Sequence, residues 1–180
     1  MSHVLIITTS LRQGSNSDWL ARQVAQGAGQ AGHTVEVVSL KDKTLGFCRG
    51  CFACQTTLSC VCNDDGNWFV RKVKEADTLV FVTPIYYYEM SGQCKTLLDR
   101  LNPLFPAKPR FQHVYMVSTA AEDEPFVPQR AQEGLAGWVE CFEQATLAGS
   151  CFFGGVTDIH EAEKRDDLRK KAYAFGTTLL

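Results

Sequence analysis

Thr8-Thr9-Ser10-Leu11-Arg12-Gln13-Gly14-Ser15-Asn16-Ser17 decides the reading of this chain. The apolar run Val4-Leu5-Ile6-Ile7 stands directly before it, and a segment with apolar residues at helical spacing follows. A buried strand that ends in a hydroxyl-rich loop and opens a helix is an anion trap. The first backbone N–H groups of a helix have no partner inside it, and the helix dipole places partial positive charge there. Ser10, Ser15, Asn16 and Ser17 add donors, and Arg12 adds a forked cation. A plain capped helix needs only Ser15 or Asn16 as its N-cap and leaves Arg12 solvated. That accounts for one polar side chain, not for four and an arginine within one turn. Neither G-x-x-x-x-G-K-[ST] nor G-x-G-x-x-G is present. A terminal monophosphate therefore fits better than a triphosphate or a pyrophosphate.

Outward from this loop, the chain alternates strands and helices. Val4–Thr9 reads as a strand buried on both faces. Asn16–Ala31 reads as a helix with Leu20, Val24, Ala28 and Ala31 on one face and Gly32 at its C-terminal end. Thr34–Ser39 is a second strand. A long connection, Lys41–Gly66, then leads to a helix over about Trp68–Ala76, capped by Asp64 or Asp65. Thr78–Thr83 is a third strand, stopped by Pro84, and Gly92–Asn102 is helical. His113–Thr119 and Ser150–Gly155 read as strands, with helices over Gln129–Ala145 and Arg165–Leu179. Five strands alternating with five helices specify an α/β fold with a doubly wound parallel sheet. The order expected is 2-1-3-4-5, with a ligand at the carboxyl ends of strands one and three. No repeat or linker divides the 180 residues, so residues 1–180 read as one domain.

Composition excludes several classes. The formal charge of −2 gives no basic footprint for nucleic acid and no polybasic patch for a membrane. No apolar run approaches the ~20 residues of a membrane span. Met1-Ser2-His3 leads straight into the first strand and does not read as a signal peptide, so a cytoplasmic protein is expected. Such a chain with eight cysteines points to metal or redox chemistry before a disulfide scaffold. Cys141 and Cys151 lie in apolar surroundings and read as core filler. His3, His33, His113 and His160 are scattered, and none is needed for catalysis.

If the sheet is right, two further loops share the rim with Ser10–Ser17. Thr83–Gly92 brings Pro84, Ile85 and the aromatic run Tyr86-Tyr87-Tyr88, and Ser118–Glu122 brings small polar residues. Flat apolar walls with backbone donors suit a planar ring system, although the tyrosines also suit a core edge or an interface. The set Ser10-x-Arg12-x-x-Ser15-Asn16-Ser17, Pro84-Ile85-Tyr86-Tyr87 and Ser91-Gly92-Gln93-x-Lys95-x-x-x-Asp99-Arg100 resembles the NAD(P)H-dependent FMN reductases of the flavodoxin superfamily. The resemblance covers nearly the whole chain and is weakest after Phe105. It implies a flavodoxin-like fold with an FMN phosphate held by Ser10, Arg12, Ser15, Asn16 and Ser17. It implies an isoalloxazine ring seated on Pro84, Ile85, Tyr86 and Tyr87, with Ser118, Thr119 and Ala120 on the other side. It also implies a homodimer or homotetramer, the helix around Lys95–Arg100 lying near the subunit interface. A solvated helix with a local Lys95–Asp99 pair explains the same residues.

Cys48-x-x-Cys51-x-x-Cys54-x5-Cys60 is the second strong signal. Closely spaced thiols can wrap one centre because short loops cost little closure entropy. A [4Fe–4S] cluster and tetrahedral zinc both take four thiolates, zinc more often from two separated knuckles. The segment, with Cys62-Asn63-Asp64-Asp65 after it, is similar to the iron–sulfur flavoprotein branch of the same superfamily. Flavin-only relatives carry a comparable motif, so reduced thiols or a redox pair such as Cys51 with Cys54 or Cys60 stay open. Asp64 and Asp65 read as helix caps rather than catalytic acids.

The function implied is an FMN-dependent oxidoreductase that takes hydride from NAD(P)H and passes electrons to a small acceptor, such as a quinone or a flavin, or to a redox protein. The alternative is an iron–sulfur flavoprotein or a flavodoxin-type carrier with its cluster on the Cys48–Cys60 loop. Hydride chemistry belongs to the cofactor, so no side chain is assigned as nucleophile or general base.

Overall fold

Every side chain of Val4-Leu5-Ile6-Ile7 is fully buried, and strand geometry deals them to opposite faces of a central sheet. In the computed structural model, which describes residues 1–180, this run lies in β1 (His3–Thr8). Leu5 and Ile7 face a core shared with α3 (Gly66–Glu75), α4 (Gly92–Arg100) and α5 (Gln129–Val139). Val4 and Ile6 face a second core under α1 (Asn16–Gln30) and α6 (Asp166–Thr177). β2 (Thr34–Ser39), β3 (Thr78–Tyr86), β5 (His113–Thr119) and β6 (Thr146–Phe153) complete the parallel sheet in the order β2-β1-β3-β5-β6. Counting the parallel strands alone, this is the expected 2-1-3-4-5. The addition is β4 (Glu89–Met90), a two-residue strand antiparallel to the end of β3. No helix is long and apolar enough to cross a membrane.

β4 exists because Pro84 does not stop β3, contrary to expectation. Thr9 N–H donates to the Val82 carbonyl, and β1 offers β3 no ladder partner beyond that point. The missing N–H of Pro84 therefore breaks no β1–β3 bond, while its other side still pairs with Thr119 of β5. The strand runs on to Tyr86, and a two-residue turn, Tyr87-Tyr88, returns it to Glu89. Both turn residues are left-handed, with φ of 51° and 66°. That is the hairpin geometry whose twist matches the flanking strands.

Two other boundaries move. α5 ends at Val139 rather than Ala145, because tight turns closed by Phe142 and Ala145 N–H groups carry Phe142 back into the core. The ladder of β6 then opens at Thr146 rather than Ser150, where Thr146 N–H reaches the Gln112 carbonyl. β6 is an edge strand of small, half-exposed residues, so hydrophobic patterning under-reads its start. Cys141 sits in the turn, exposed, and is not core filler; Phe142 takes that place, while Cys151 is buried as expected.

α1 and α6 approach almost to backbone contact. A Cβ on Gly27 would lie 2.1 Å from the Tyr173 carbonyl oxygen, and one on Gly176 would lie 2.1 Å from that of Val24. The helix that opens at the hydroxyl-rich loop and the C-terminal helix are thus held together by two glycines.

Candidate functional site

The strand order reverses between β1 and β3, and a cleft of about 240 Å³ opens at their carboxyl ends. Ser10, Arg12, Ser15, Asn16 and Ser17 line one side, Pro84, Ile85 and Tyr86 another, and Thr119 and Ala120 a third. Three loops far apart in sequence therefore meet. Tyr87 and Ser118 do not line the cleft: Tyr87 is 98% exposed at the hairpin tip, and Ser118 is buried beneath the rim. Ala121 of the same third loop also lines it, as do Val156 and Thr157, which sequence reading does not find. Val156 and Thr157 lie in a polar loop that carries no motif.

The first loop presents open hydrogen-bond donors at the start of α1. Ser15 caps α1, its hydroxyl accepting from Asp18 N–H at 3.3 Å. Gly14 takes φ +65°, a turn few other residues adopt cheaply. The backbone N–H groups of Ser15, Asn16 and Ser17 have no acceptor within the protein. Ser17 Oγ lies 2.8 Å from Thr119 Oγ1, which ties the helix start to β5. The Asn16 side chain is committed at both ends: its Nδ2 donates to the Asp158 carbonyl at 2.9 Å, and its Oδ1 accepts from Ala162 N–H at 3.0 Å. The Asn16 side chain is thus tied to the 158–162 segment, and its backbone N–H stands open for a ligand. Arg12 Nη1 donates to the Thr157 carbonyl at 2.5 Å, leaving its other nitrogens free. Open amide donors, buried hydroxyls and one guanidinium at a helix start fit the phosphate of a mononucleotide.

Beneath the rim, Thr9 Oγ1 lies 3.1 Å from Ser91 Oγ, and Thr83 Oγ1 donates to Ser91 Oγ at 3.2 Å. Ser91 N–H donates back to Thr83 Oγ1 at 3.0 Å, and Ser91 Oγ caps α4. These hydroxyls lock the first two loops together. Cys94 lies against them, fully enclosed, and burial pushes its thiol up to about 12, so it remains a neutral core group. A second cleft of about 530 Å³ adjoins at Tyr86. Its walls include Leu11, Leu40, Leu45 and Phe47, with Lys43 as its cation.

The cysteine segment forms a separate site. Cys48, Cys51, Cys54, Cys60 and Cys62 line one cleft of about 450 Å³, with a short helix α2 (Ala53–Thr57) in its wall. Asn102 Nδ2 donates to Cys54 Sγ at 3.1 Å, and Arg100 Nη2 to Cys60 Sγ at 3.4 Å. Burial opposes ionisation of Cys60, but the Cys62 N–H and the Arg100 charge outweigh it and hold the thiol below its usual value. All eight cysteines are free thiols. No three His, Cys, Asp or Glu side chains converge closely enough to hold a metal ion. Cys48, Cys51, Cys54 and Cys60 thus share one cleft without closing on a single ion.

Asp64 corrects a further expectation. Asp65 occupies the N-cap of α3 without capping it; its carboxylate accepts from Thr44 N–H at 2.7 Å instead. Asp64 does accept from Gly66 N–H at 2.9 Å, but its main partner is Arg100, which is 1% exposed and meets both carboxylate oxygens at 2.7 Å. Gly46 closes the site, its N–H donating to Asp64 and its carbonyl accepting from Arg100. The Arg100 hydrogen bonds hold the Asp64 carboxyl well below the usual carboxylate range. A group depressed in this way stabilises the fold above its unfolded value of ~3.9, and that stability is lost as pH falls towards the folded value. Urea unfolding at pH 7, 5 and 3 is expected to show the gap between wild type and Asp64→Asn narrowing below pH ~4. A gap independent of pH would refute this. On the same helix, the Lys95–Asp99 pair forms at 2.6 Å on the exposed side.

Residues 2–153 match the model of the NADPH-dependent FMN reductases. The chain belongs to that family. Among similar family members is an iron–sulfur flavoprotein of Methanocaldococcus jannaschii, 36% identical over 101 residues, which are 56% of this chain and 52% of that one. An iron–sulfur flavoprotein of Methanosarcina thermophila is 23% identical over 155 residues, 84% of this chain and 80% of that one. The chain thus spans about half the length of the first relative. Among solved structures, an NAD(P)H:quinone oxidoreductase from Methanothermobacter marburgensis superposes with a TM-score of 0.71 at 16% identity, over 98% of this chain and 96% of that one. An azoreductase from Bacillus anthracis gives 0.69 at 14% identity, over 98% and 97%. At such identities these two establish the flavodoxin-like fold. The family match ends at Phe153, so it contains the three rim loops but not Val156 or Thr157.

Proposed function

We propose that the chain is an FMN-dependent oxidoreductase that accepts hydride from NAD(P)H and delivers electrons to a small acceptor such as a quinone or a free flavin. The observation that carries this reading is the row of unpaired N–H groups at Ser15–Ser17, set beside buried hydroxyls and Arg12 in one cleft. Ser10, Ser15 and Ser17 would hold the FMN phosphate with their hydroxyls, Arg12 with its charge, and Asn16 with its backbone. Pro84, Ile85 and Tyr86 would form a floor for the ring, Tyr87 extending it at the hairpin and Ser118 supporting Thr119 and Ala120 opposite. Bound FMN supplies the two-electron chemistry. The residues around it orient the ring, offer backbone hydrogen bonds and limit access by water. The adjoining cleft, walled by Leu11, Leu40, Leu45 and Phe47, is the place for a planar apolar acceptor or a nicotinamide.

The same reading makes the protein a cytoplasmic homodimer or homotetramer. Free thiols suit a reducing compartment. Phe47, Phe52 and Val61 stand exposed as surface for a second subunit.

Arg12→Ala tests the phosphate assignment. A charge-assisted hydrogen bond contributes about 1.5–3 kcal/mol, so FMN affinity should fall roughly 10- to 100-fold while riboflavin affinity changes little. Quenching of flavin fluorescence measures both. Equal losses for the two ligands, or no FMN uptake by the wild type, would refute the assignment. Anaerobic NADPH oxidation with FMN and a quinone then tests the activity.

A further inference from the structure

We propose that residues 156–163, between β6 and α6, form a strap that closes the outer end of the phosphate cleft and selects a flavin mononucleotide over a flavin dinucleotide. This rests on the FMN reading above. The strap lies beyond the family match and has no sequence motif.

Four hydrogen bonds join it to the anion loop. Arg12 reaches the Thr157 carbonyl at 2.5 Å and Asn16 the Asp158 carbonyl at 2.9 Å. His160 N–H donates to the Gly14 carbonyl at 3.0 Å, and Ala162 N–H to Asn16 Oδ1 at 3.0 Å. No gap remains at Gly14, where a Cβ would lie 2.5 Å from His160 Nε2. The strap is itself preformed. Glu161 folds its carboxylate back to accept the N–H groups of Thr157 at 2.6 Å and Asp158 at 2.9 Å. Val156 N–H binds the Ala120 carbonyl at 3.0 Å, and Ala162 is fully buried.

A phosphomonoester ends in peripheral oxygens that hydroxyls and N–H groups can surround. A flavin dinucleotide must continue from that phosphate into a second phosphate and an adenosine. Here Thr157 lines the cleft where Arg12 meets it, and Asp158 and His160 back it against Asn16 and Gly14, so the strap takes up room on that side of the phosphate site. The strap also carries Asp158, Glu161 and Glu163, so a second phosphate would meet like charge. The strap has a positioning role as well, since the Thr157 carbonyl fixes Arg12 across the cleft.

The test titrates apoprotein with FMN and with FAD, following flavin fluorescence, for wild type, Glu161→Ala and His160→Gly. The wild type is expected to bind FMN about 100-fold tighter than FAD. Glu161→Ala frees the strap, and His160→Gly removes the ring beside Gly14 at a left-handed position that glycine accepts (φ +58°). Either change should bring the ratio to about tenfold or below. His160 is an exposed residue, so its variant keeps the test valid should Glu161→Ala fold poorly. FAD bound by the wild type within threefold of FMN, or a ratio unmoved by His160→Gly, overturns the strap proposal while leaving FMN binding intact. A wild type that takes up neither flavin overturns both readings.

Discussion

Arg100→Met is expected to lower the free energy of unfolding by about 3–5 kcal/mol, read as an earlier midpoint in urea. Arg100 is the largest fully buried side chain, and its guanidinium meets the two Asp64 oxygens, the Gly46 carbonyl and Cys60 Sγ. Removing it strands a carboxylate that is only 9% exposed. A buried charge without its partner is far costlier than the absence of both. The double variant Asp64→Leu/Arg100→Met should therefore recover most of the loss. The same change should release residues 44–66, whose tie to α4 runs through Gly46 and Cys60, and proteolysis of that segment should accelerate. A single variant as stable as wild type, or a double variant no better than the single, would show that the pair does not hold this loop.

Gly27→Ala and Gly29→Ala, two residues apart on one helix, are expected to shift stability in opposite directions. At Gly29 a new Cβ meets nothing within 4 Å, so the helix preference for alanine should add about 0.8–1 kcal/mol. At Gly27 the Cβ lands 2.1 Å from a backbone oxygen of α6, which cannot rotate away as a side chain can. α6 must retreat, and overpacking of this kind costs about 1–3 kcal/mol after any gain in helix preference. The effect should extend to the cleft. α1 begins at the anion loop and α6 follows the strap, so a displaced α6 loosens the bonds from Arg12 and Asn16 to Thr157 and Asp158. FMN affinity should fall for Gly27→Ala and hold for Gly29→Ala. Thermal melts and fluorescence titration of the two purified variants check both signs. Two variants that move together would refute the close-crossing account.

The parallel sheet was legible because its signals are local. Val4–Ile7 is a continuous apolar run, and each later strand alternates with a helical pattern. The hydroxyl-rich turn from β1 into α1 was legible for the same reason, since strand, hydroxyls and helix start are contiguous. Long-range pairing left no such trace. Arg100 and Asp64 are 36 positions apart, and Asp64 beside Asp65 before a helix reads as a cap. Thr157–Ala162 reads as an ordinary polar loop because its partners, Arg12, Gly14 and Asn16, lie at the other end of the chain. The cysteine spacing was visible, but spacing does not say whether thiols converge. β3 was cut short because a proline ends most strands, and only knowledge of which neighbour is missing past Val82 shows why this one continues.

The Tyr87-Tyr88 turn has a practical consequence. Its left-handed backbone is the one in which Asn-Gly is at ease, whereas two bulky aromatics are strained there. Directed evolution scored only on heat resistance would be drawn to these codons early. It would strip both phenols from the hairpin next to Tyr86, and the sturdier variants selected in this way would carry an altered surface beside the cleft.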